Sequence, residues 1–145
     1  MAGVINIMLG MFNSATNFNQ PLDDWNVSSV NNMGRLFQRA TNFNQPLNDW
    51  NVASINTMLG MFNYATNFNR SLNIWDLSSA SSMPGMFNYA SNFNRPLNDW
   101  NVASINTMLG MFDFATNFNG SLNDRNDMAD VNDMEYMIYY AYNFN

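Results

Sequence analysis

The chain has 145 residues, enough for a single domain, and 47% of them are apolar, so it can bury a core and is not expected to be disordered. Eleven acidic residues against five arginines give a net charge of −6, which argues against binding to nucleic acid or to anionic membranes. The absence of cysteine excludes disulfides and thiolate metal sites, and the longest apolar runs are far shorter than the roughly 20 residues that span a bilayer.

The first residues already belong to a repeat. Residues 2–12 match residues 52–62 at most positions, and no basic segment precedes them. We therefore do not expect a secretory signal at this start. The chain is interpreted either as one complete domain or as a fragment of a longer array.

A tandem repeat runs through the whole sequence. The tripeptide Asn-Phe-Asn recurs at a regular interval, with four spacings of 25 and a last spacing of 26, centred on Phe18, Phe43, Phe68, Phe93, Phe118 and Phe144. Tryptophans follow with the same spacing at Trp25, Trp50, Trp75 and Trp100, and residues 48–62 are identical to residues 98–112. Such periodicity is typical of stacked repeat proteins, so residues 1–145 are predicted to form a single solenoid domain of five to six repeats.

Each repeat combines two hydrophobic spacings. Trp50-x-Val52 has the alternation of a short strand, whereas the apolar positions from Ile55 to Phe68 recur every three or four residues, as on a helix. Proline fits the first turn of a helix, so Pro84 marks a helix start. The helices are therefore predicted near residues 59–66, 84–91 and 109–116. The predicted fold class is an α/β repeat with one short parallel strand and one short helix per repeat.

Repeats this short can bury their apolar sides only by stacking. At an inter-strand spacing of about 4.8 Å, equivalent residues would align into columns and form one continuous core. The Asn-Phe-Asn segments would stack as well, and their amides would bond to backbone groups and to their copies above and below. The high asparagine content is thus predicted to be structural and not catalytic.

The repeat motif can be compared with a known family. It reads Trp-Asn-Val-Ser-Ser-Val-Asn-Asn-Met at 25–33, Leu-Phe at 36–37, Ala at 40 and Phe-Asn-Gln-Pro-Leu at 43–47, and it recurs along essentially the whole chain. In this it resembles the BspA-like leucine-rich-repeat surface proteins. The resemblance implies a leucine-rich-repeat-like solenoid at a cell surface or outside the cell, with a role in adhesion or partner binding. Tryptophan stands where ordinary leucine-rich repeats have leucine, and no lipid-attachment cysteine is present.

A polar strip is predicted along the outward side of the strands. It consists of outward-facing positions and the acids of the preceding turn: Asp24, Asn26, Asp49, Asn51, Asp76, Asp99 and Asn101. Such a strip is a common binding face in repeat proteins. A solvent-facing strand also needs polar residues when it has no function, and this second interpretation is favoured.

An aromatic row is predicted one position before each core alanine. Tyr64, Tyr89 and Phe114 occupy this position in consecutive repeats, and Tyr140 occupies it in the last. An exposed ladder of this kind would suit a partner protein, a sugar or a second filament. The alternative, in which the row is half-buried between neighbouring helices, is left open.

Four aspartates recur every three residues in the last repeat, at Asp124, Asp127, Asp130 and Asp133. Calcium is the functional interpretation, but the segment lacks the Asp-x-Asp-x-Asp-Gly pattern of a calcium loop. A charged last repeat that keeps the stack soluble is favoured instead. No metal and no cofactor are predicted.

The residue inventory argues against catalysis. The chain has no histidine, cysteine or lysine, so it lacks a catalytic triad, a thiol nucleophile and a Schiff-base lysine. Asp23 and Asp24 are the only adjacent carboxylate pair, and neighbours on an extended segment point to opposite faces. The chain is therefore predicted not to be an enzyme.

Two functions from different classes remain. The first is a surface-exposed or extracellular module that binds a protein or glycan partner. The second is a structural protein whose solenoid ends stack on further copies into a filament, because an uncapped end exposes strand edges and core columns. Neither hypothesis involves nucleic acid or a membrane span.

Overall fold

A computed structural model describes residues 6–122 and 131–145 of the chain. Within these ranges there is no α-helix and no strand longer than a single residue. The helices predicted near residues 59–66, 84–91 and 109–116 and the strand predicted at Trp50-x-Val52 are absent, so the α/β, leucine-rich-repeat-like assignment is wrong. No helix that could cross a bilayer occurs in these ranges either.

The repeats nevertheless stack on one another. One residue of each repeat forms a parallel bridge with the same position of the next repeat, through Ile7, Asn32, Thr57, Ser82, Thr107 and Asp133. We call the circuit that starts at each of these residues a rung, and we number the rungs 1 to 6 in chain order. The tandem stacking predicted from the repeat period is thus confirmed, although each rung is built from turns.

One side of each rung, the turn face, consists of consecutive turns; in rung 2 it spans residues 33–40. Here the backbone N–H groups alternate in direction. The N–H groups of Arg35 and Phe37 donate to carbonyls of rung 3 at 2.7 and 2.9 Å, whereas that of Gln38 donates to the carbonyl three residues earlier. Four such inter-rung bonds join every pair of neighbouring rungs. The alternation satisfies the backbone polar groups without a helix or a sheet.

Two positions of each turn face have a positive φ. The first is glycine in four rungs, at Gly10, Gly60, Gly85 and Gly110, and the second carries Tyr64, Tyr89 and Phe114 in rungs 3 to 5. A type II turn requires a positive φ at its third residue and favours proline at its second. Pro84 and Gly85 occupy these two positions, so Pro84 belongs to a turn and not to the start of a helix.

The core consists of columns of like side chains. Phe37, Phe62, Phe87 and Phe112 are fully buried and stack with ring centroids 5.5–5.6 Å apart. The buried indole N–H groups of Trp50, Trp75 and Trp100 donate to leucine carbonyls of the preceding rung at 2.8–3.0 Å. Aromatic side chains bury large apolar areas, and the indole N–H needs a partner when it is buried. Each column therefore ties a rung to its neighbours.

The asparagines of the Asn-Phe-Asn segments form two hydrogen-bonded ladders. The side-chain oxygen of the second asparagine accepts the backbone N–H of its counterpart in the next rung at 2.8–3.0 Å, from Asn19 through Asn145. The first asparagines are linked amide to amide at 3.3–3.4 Å, from Asn42 through Asn143. The structural role predicted for these asparagines is confirmed.

Candidate functional site

The predicted polar strip lies at the surface, but it does not lie on a strand. The side-chain oxygens of Asn26, Asn51, Asp76 and Asn101 each accept the N–H of the residue two positions later, at 3.0–3.1 Å. This is the geometry of an Asx-turn, which asparagine and aspartate form readily. These exposed residues therefore have a local structural role that accounts for their identity.

The three turn aspartates of the strip, Asp24, Asp49 and Asp99, are exposed as well. Asp49 accepts a hydrogen bond from the Asn48 amide at 3.3 Å, and Asp99 accepts one from the Asn73 amide. Neither of the grooves described below is lined by a residue of the strip. The structure thus does not bring the strip and the aromatic row together into one site.

The aromatic row forms a stacked column of Tyr64, Tyr89, Phe114 and Tyr140. The ring centroids of Tyr64 and Tyr89 lie 4.3 Å apart, and those of Tyr89 and Phe114 lie 4.4 Å apart, with planes within 7° of parallel. Tyr64 and Tyr140 are exposed, whereas Tyr89 and Phe114 are half-buried. Desolvation raises the pKa of the Tyr89 hydroxyl, and the Tyr64 hydroxyl adds to this shift.

Both faces of the Tyr64, Tyr89 and Phe114 rings are covered. The guanidinium carbon of Arg39 lies 5.6 Å from the ring centroid of Tyr64, within cation–π range. At the other end, the Tyr140 ring leans over Phe114 at 4.5 Å and 34°. A ligand that stacks on an aromatic face therefore finds the faces of these three rings occupied, and the three rings present only their edges and the tyrosine hydroxyls.

A groove of about 550 Å³, the axial groove, runs along the turn face. It is lined by an apolar row, Leu59, Pro84 and Leu109, and by a glycine row, Gly60, Gly85 and Gly110. Arg35 and Tyr136 occupy the glycine position in rungs 2 and 6 and also line it. The groove thus spans rungs 3 to 5, where the glycines have no side chain to fill it. The larger side chains of Arg35 and Tyr136 bound it at the two ends.

An amide row also lines the groove, through Gln38, Asn63 and Asn88. Gln38 Nε2 donates to Asn63 Oδ1 at 3.0 Å, Asn63 Nδ2 to Asn88 Oδ1 at 2.9 Å, and Asn88 Nδ2 to Asp113 Oδ2 at 3.1 Å. A primary amide has two N–H donors and an oxygen with two lone pairs. The row uses one donor and one lone pair of Asn63 and of Asn88. Each of these amides therefore keeps one donor and one lone pair that could serve a ligand.

The groove has opposite charges at its two ends. Arg35 lies at the rung 2 end, and Asp113 and Glu135 lie toward rung 6. Asp113 Oδ1 is buried and accepts no hydrogen bond from the described residues. Its desolvation raises the pKa of this carboxyl, although hydrogen bonding from the Asn88 amide and from the Phe114 backbone acts in the opposite direction.

A second groove, of about 510 Å³, lies between the two asparagine ladders. It is lined by Asn44, Asn67, Asn69, Asn92, Asn94, Asn117 and Asn143. Neither an apolar nor a charged side chain contributes to this lining. Because ligand sites usually combine apolar surface with a few polar groups, the axial groove is the stronger candidate.

The aspartate-rich segment lies largely outside the described residues. This applies to Asp124, Asp127 and Asp130, whereas Asp133 is the bridge residue of rung 6 and accepts the N–H of Glu135 at 3.1 Å. Across residues 6–122 and 131–145, no three acidic side chains come together as metal ligands. The calcium interpretation is therefore not tested by the structure.

Sequence reasoning missed the axial groove. The groove is lined by equivalent residues of successive repeats. That the apolar, glycine and amide rows face the same groove follows only from the conformation of the turns. A signal was nevertheless present, because Pro84-Gly85 is a dipeptide typical of turns and Gly60 and Gly110 stand at the equivalent position.

A family model described as "Mycoplasma protein of unknown function, DUF285" matches the chain twice, over residues 2–95 and over residues 49–145. The ends of the two matches are offset by the length of two repeats. No curated protein and no solved structure matches the chain. Because the two matches together cover residues 2–145, the chain belongs to the family of Mycoplasma proteins of unknown function designated DUF285.

Proposed function

We propose that this chain is a non-enzymatic binding module, acting at a cell surface or outside the cell, that holds an extended segment of a partner protein in the axial groove. The observation that carries the proposal is the composition of this groove. An apolar row, a row of partly used amides and opposite charges at the two ends run side by side across three rungs.

The groove suits a polypeptide for two reasons. Leu59 and Leu109 are 39% and 38% exposed, so an apolar side chain that covered them would remove apolar surface from water. The spare donor and lone pair of Asn63 and of Asn88 match the N–H and C=O groups that an extended backbone presents. Arg35 and Glu135 would favour one orientation of a segment with charges at its ends.

A protein partner fits better than a glycan partner. Binding by stacking on a ring needs a free aromatic face, and the faces of Tyr64, Tyr89 and Phe114 are occupied by neighbouring rings and by Arg39. The lining of the axial groove includes no residue of the aromatic column, so the proposed binding does not rely on stacking.

The non-catalytic role and the location rest on the sequence. The chain has no histidine, cysteine or lysine, and the axial groove contains only Asp113 and Glu135 as carboxylates. The repeat motif resembles that of the BspA-like surface proteins, which supports display at a cell surface and a role in adhesion.

A peptide-array experiment tests the proposal. The 145-residue chain is applied to an array of extended peptides with apolar centres and, in parallel, to a glycan array. We expect peptide binding that Leu59→Asp weakens at least about tenfold, equivalent to about 1.4 kcal/mol.

Ile74→Asp is the matched control, because Ile74 is an apolar residue with 71% exposure that does not line the groove. This variant should bind peptides as the unmodified chain does. Binding to glycans alone, or equal losses in both variants, would refute the assignment of the groove.

A further inference from the structure

Two neighbouring rungs carry an arginine directly after the second asparagine of the Asn-Phe-Asn segment. Arg70 Nε donates to the backbone carbonyl of Asn44 at 2.7 Å, and Arg95 Nε donates to that of Asn69 at 2.9 Å. Both arginine side chains are exposed, and neither forms an ion pair within the described residues. Because a guanidinium has further N–H donors besides Nε–H, both arginines are held in place and can still bind an acceptor.

The two arginines lie beside the groove between the asparagine ladders, which we call the asparagine groove. Asn44 and Asn69, whose carbonyls accept the arginine Nε–H groups, both line it. In rung 2 the equivalent position is Gln45, and its Nε2 donates to the backbone oxygen and to the side-chain oxygen of Asn19 at 2.9 and 3.1 Å. A side chain at this position therefore reaches the ladder of second asparagines.

The asparagine groove offers more hydrogen-bond donors than acceptors. Its second asparagines, Asn44, Asn69 and Asn94, each use Oδ1 to accept a backbone N–H of the next rung, whereas their Nδ2 groups find no acceptor in the part of the chain that the structure describes. The first asparagines Asn67 and Asn92 each keep one donor and one lone pair. An excess of donors favours a ligand that carries acceptor groups.

The arginine pair concentrates positive charge on a chain whose net charge is −6. Arg70 and Arg95 stand one rung apart, a step over which the Phe43, Phe68 and Phe93 rings of the same segments lie 6.0–6.1 Å apart. Like charges on neighbouring rungs repel each other, and an anion between them is attracted by both. Guanidinium groups bind carboxylates through paired, charge-assisted hydrogen bonds, so the pair favours a carboxylate.

We propose that the asparagine groove binds an acidic glycan, with its carboxylates on Arg70 and Arg95 and its hydroxyl groups on the asparagine amides. A hydroxyl group both donates and accepts, which matches the donor and the lone pair that Asn67 and Asn92 keep. This groove shares no lining residue with the axial groove, so the inference does not depend on the proposed peptide binding.

Two other kinds of acidic ligand fit this groove less well. An acidic peptide would bury little apolar surface, because only asparagines line the groove. A densely charged polyanion such as a nucleic acid would be repelled by the net charge of −6. A glycan with carboxylates spaced between hydroxyl-bearing sugars avoids both problems.

The experiment is a fluorescence anisotropy titration of a labelled hexasaccharide, in which glucuronic acid alternates with N-acetylglucosamine, with the 145-residue chain. We expect saturable binding that is at least about tenfold tighter than binding of the neutral hexamer of N-acetylglucosamine, because only the acidic sugar carries carboxylates for the arginines. Hexaglutamate should also bind at least about tenfold more weakly than the acidic hexasaccharide, because it lacks hydroxyl groups.

Arginine variants test the charged part of the site. Arg70→Gln and Arg95→Gln remove the charge, and glutamine can keep the bond to the preceding rung as Gln45 does. Each variant should weaken binding of the acidic hexasaccharide at least about tenfold. Arg39→Gln is the matched control, because it removes the same charge beside Tyr64, away from the groove, and should bind as the unmodified chain does.

An asparagine variant tests the groove itself. In Asn94→Asp the carboxylate can still accept the N–H of Asn119, but a free donor is replaced by a negative charge, so binding should fall at least about tenfold. Asn101→Asp is the control that adds the same charge outside the groove. Asp76 occupies the equivalent position with the same turn, so this control should fold and bind normally.

Circular dichroism checks that every variant is folded. The proposal is overturned by a lack of saturable binding of the acidic hexasaccharide, by equal binding of the neutral hexamer, or by unchanged binding in both arginine variants. Hexaglutamate that binds as tightly as the acidic hexasaccharide would overturn it too, since the groove would then recognise carboxylates without a sugar.

Discussion

At the scale of single residues, Asp113 is the exception in a row of side-chain amides. Gln38, Asn63 and Asn88 each donate to the next member of the row, but a carboxylate has no N–H to donate. One of its oxygens is therefore buried without a partner in the described residues. An ionised group in this position is costly, which is consistent with the raised pKa of Asp113.

This exception predicts the pH dependence of stability. Because the pKa of Asp113 is raised by folding, the folded protein binds this proton more tightly than the unfolded chain does. The protonated Asp113 carboxyl therefore adds to the stability of the fold below the unfolded pKa of about 3.9. This stabilisation is lost as the pH rises through the folded pKa. Asp113→Asn carries no charge at this position, so we expect the stability of this variant relative to the unmodified chain to increase as the pH rises through the folded pKa.

Thermal unfolding between pH 3 and pH 7 provides the measurement. The difference in Tm between Asp113→Asn and the unmodified chain should grow as the pH rises. Asp76→Asn is the control, because hydrogen bonds from Ser78 lower the pKa of Asp76, so its contribution is instead lost as the pH falls. A Tm difference for Asp113→Asn that stays constant over this range would contradict the role given to Asp113.

At the scale of elements, the turn face shows why the helix prediction failed. Met58, Met61 and Phe62 have helical spacing in the sequence, and all three are buried. Successive turns closed between residues i and i−3 bring apolar side chains to one side at nearly the same interval as a helix. The Met61 N–H donates to Met58 at 3.1 Å, but the Phe62 N–H leaves the rung and donates to Met86. The spacing of apolar residues in the sequence does not show that the N–H groups alternate between bonds within a rung and bonds to the next rung.

The positive φ of the first turn predicts the effect of a single methyl group. Gly85 has a φ of +59°, and an added Cβ would lie 3.7 Å from the Asn88 Cβ, so space is available and the cost falls on the backbone. We expect Gly85→Ala to lower the free energy of unfolding by about 1–2 kcal/mol in urea titrations.

Gly85→Asn provides a graded comparison, because asparagine tolerates this backbone region better than alanine does. It should therefore cost less than Gly85→Ala. At the equivalent position of rung 2, where Arg35 has a φ of +56°, Arg35→Gly should relieve backbone strain. Equal stability of Gly85→Ala and the unmodified chain would mean that the strained turn is not formed.

At the scale of the whole molecule, the sequence predicts long-range order better than local structure. The repeat period correctly predicts which residues stack, so the phenylalanine and tryptophan columns and the asparagine ladders could be anticipated. The axial groove could not be, because its depth depends on glycines at positive φ and its lining depends on turns. The aromatic column was anticipated as a row, but only the structure shows that Arg39 covers Tyr64 and that Tyr140 leans over Phe114.

The stack also accommodates one rung of unusual length. The last spacing is one residue longer than the others. Asn119 still bonds to Asn94, which is 25 residues earlier, whereas Asp133 bridges to Thr107, which is 26 residues earlier, so the extra residue lies between Asn119 and Asp133. The turn faces of rungs 5 and 6 still form their four bonds. An extra residue is thus tolerated away from the turn face.

A pair of deletions tests whether the turn face sets the register. Removing residues 37–61 joins Leu36 to Phe62 and deletes one full repeat period, so every column stays in register. Because repeat proteins are stabilised mainly by nearest-neighbour contacts, this chain should unfold cooperatively, with an m-value lower by roughly one sixth.

Removing residues 37–60 instead leaves Met61 as an extra residue within a turn face. A one-residue shift there moves the buried side chains out of their columns and reverses the N–H alternation, so this chain should lose its cooperative transition. Similar unfolding curves for the two deletions would mean that the columns are held in register by other contacts, such as the asparagine ladders.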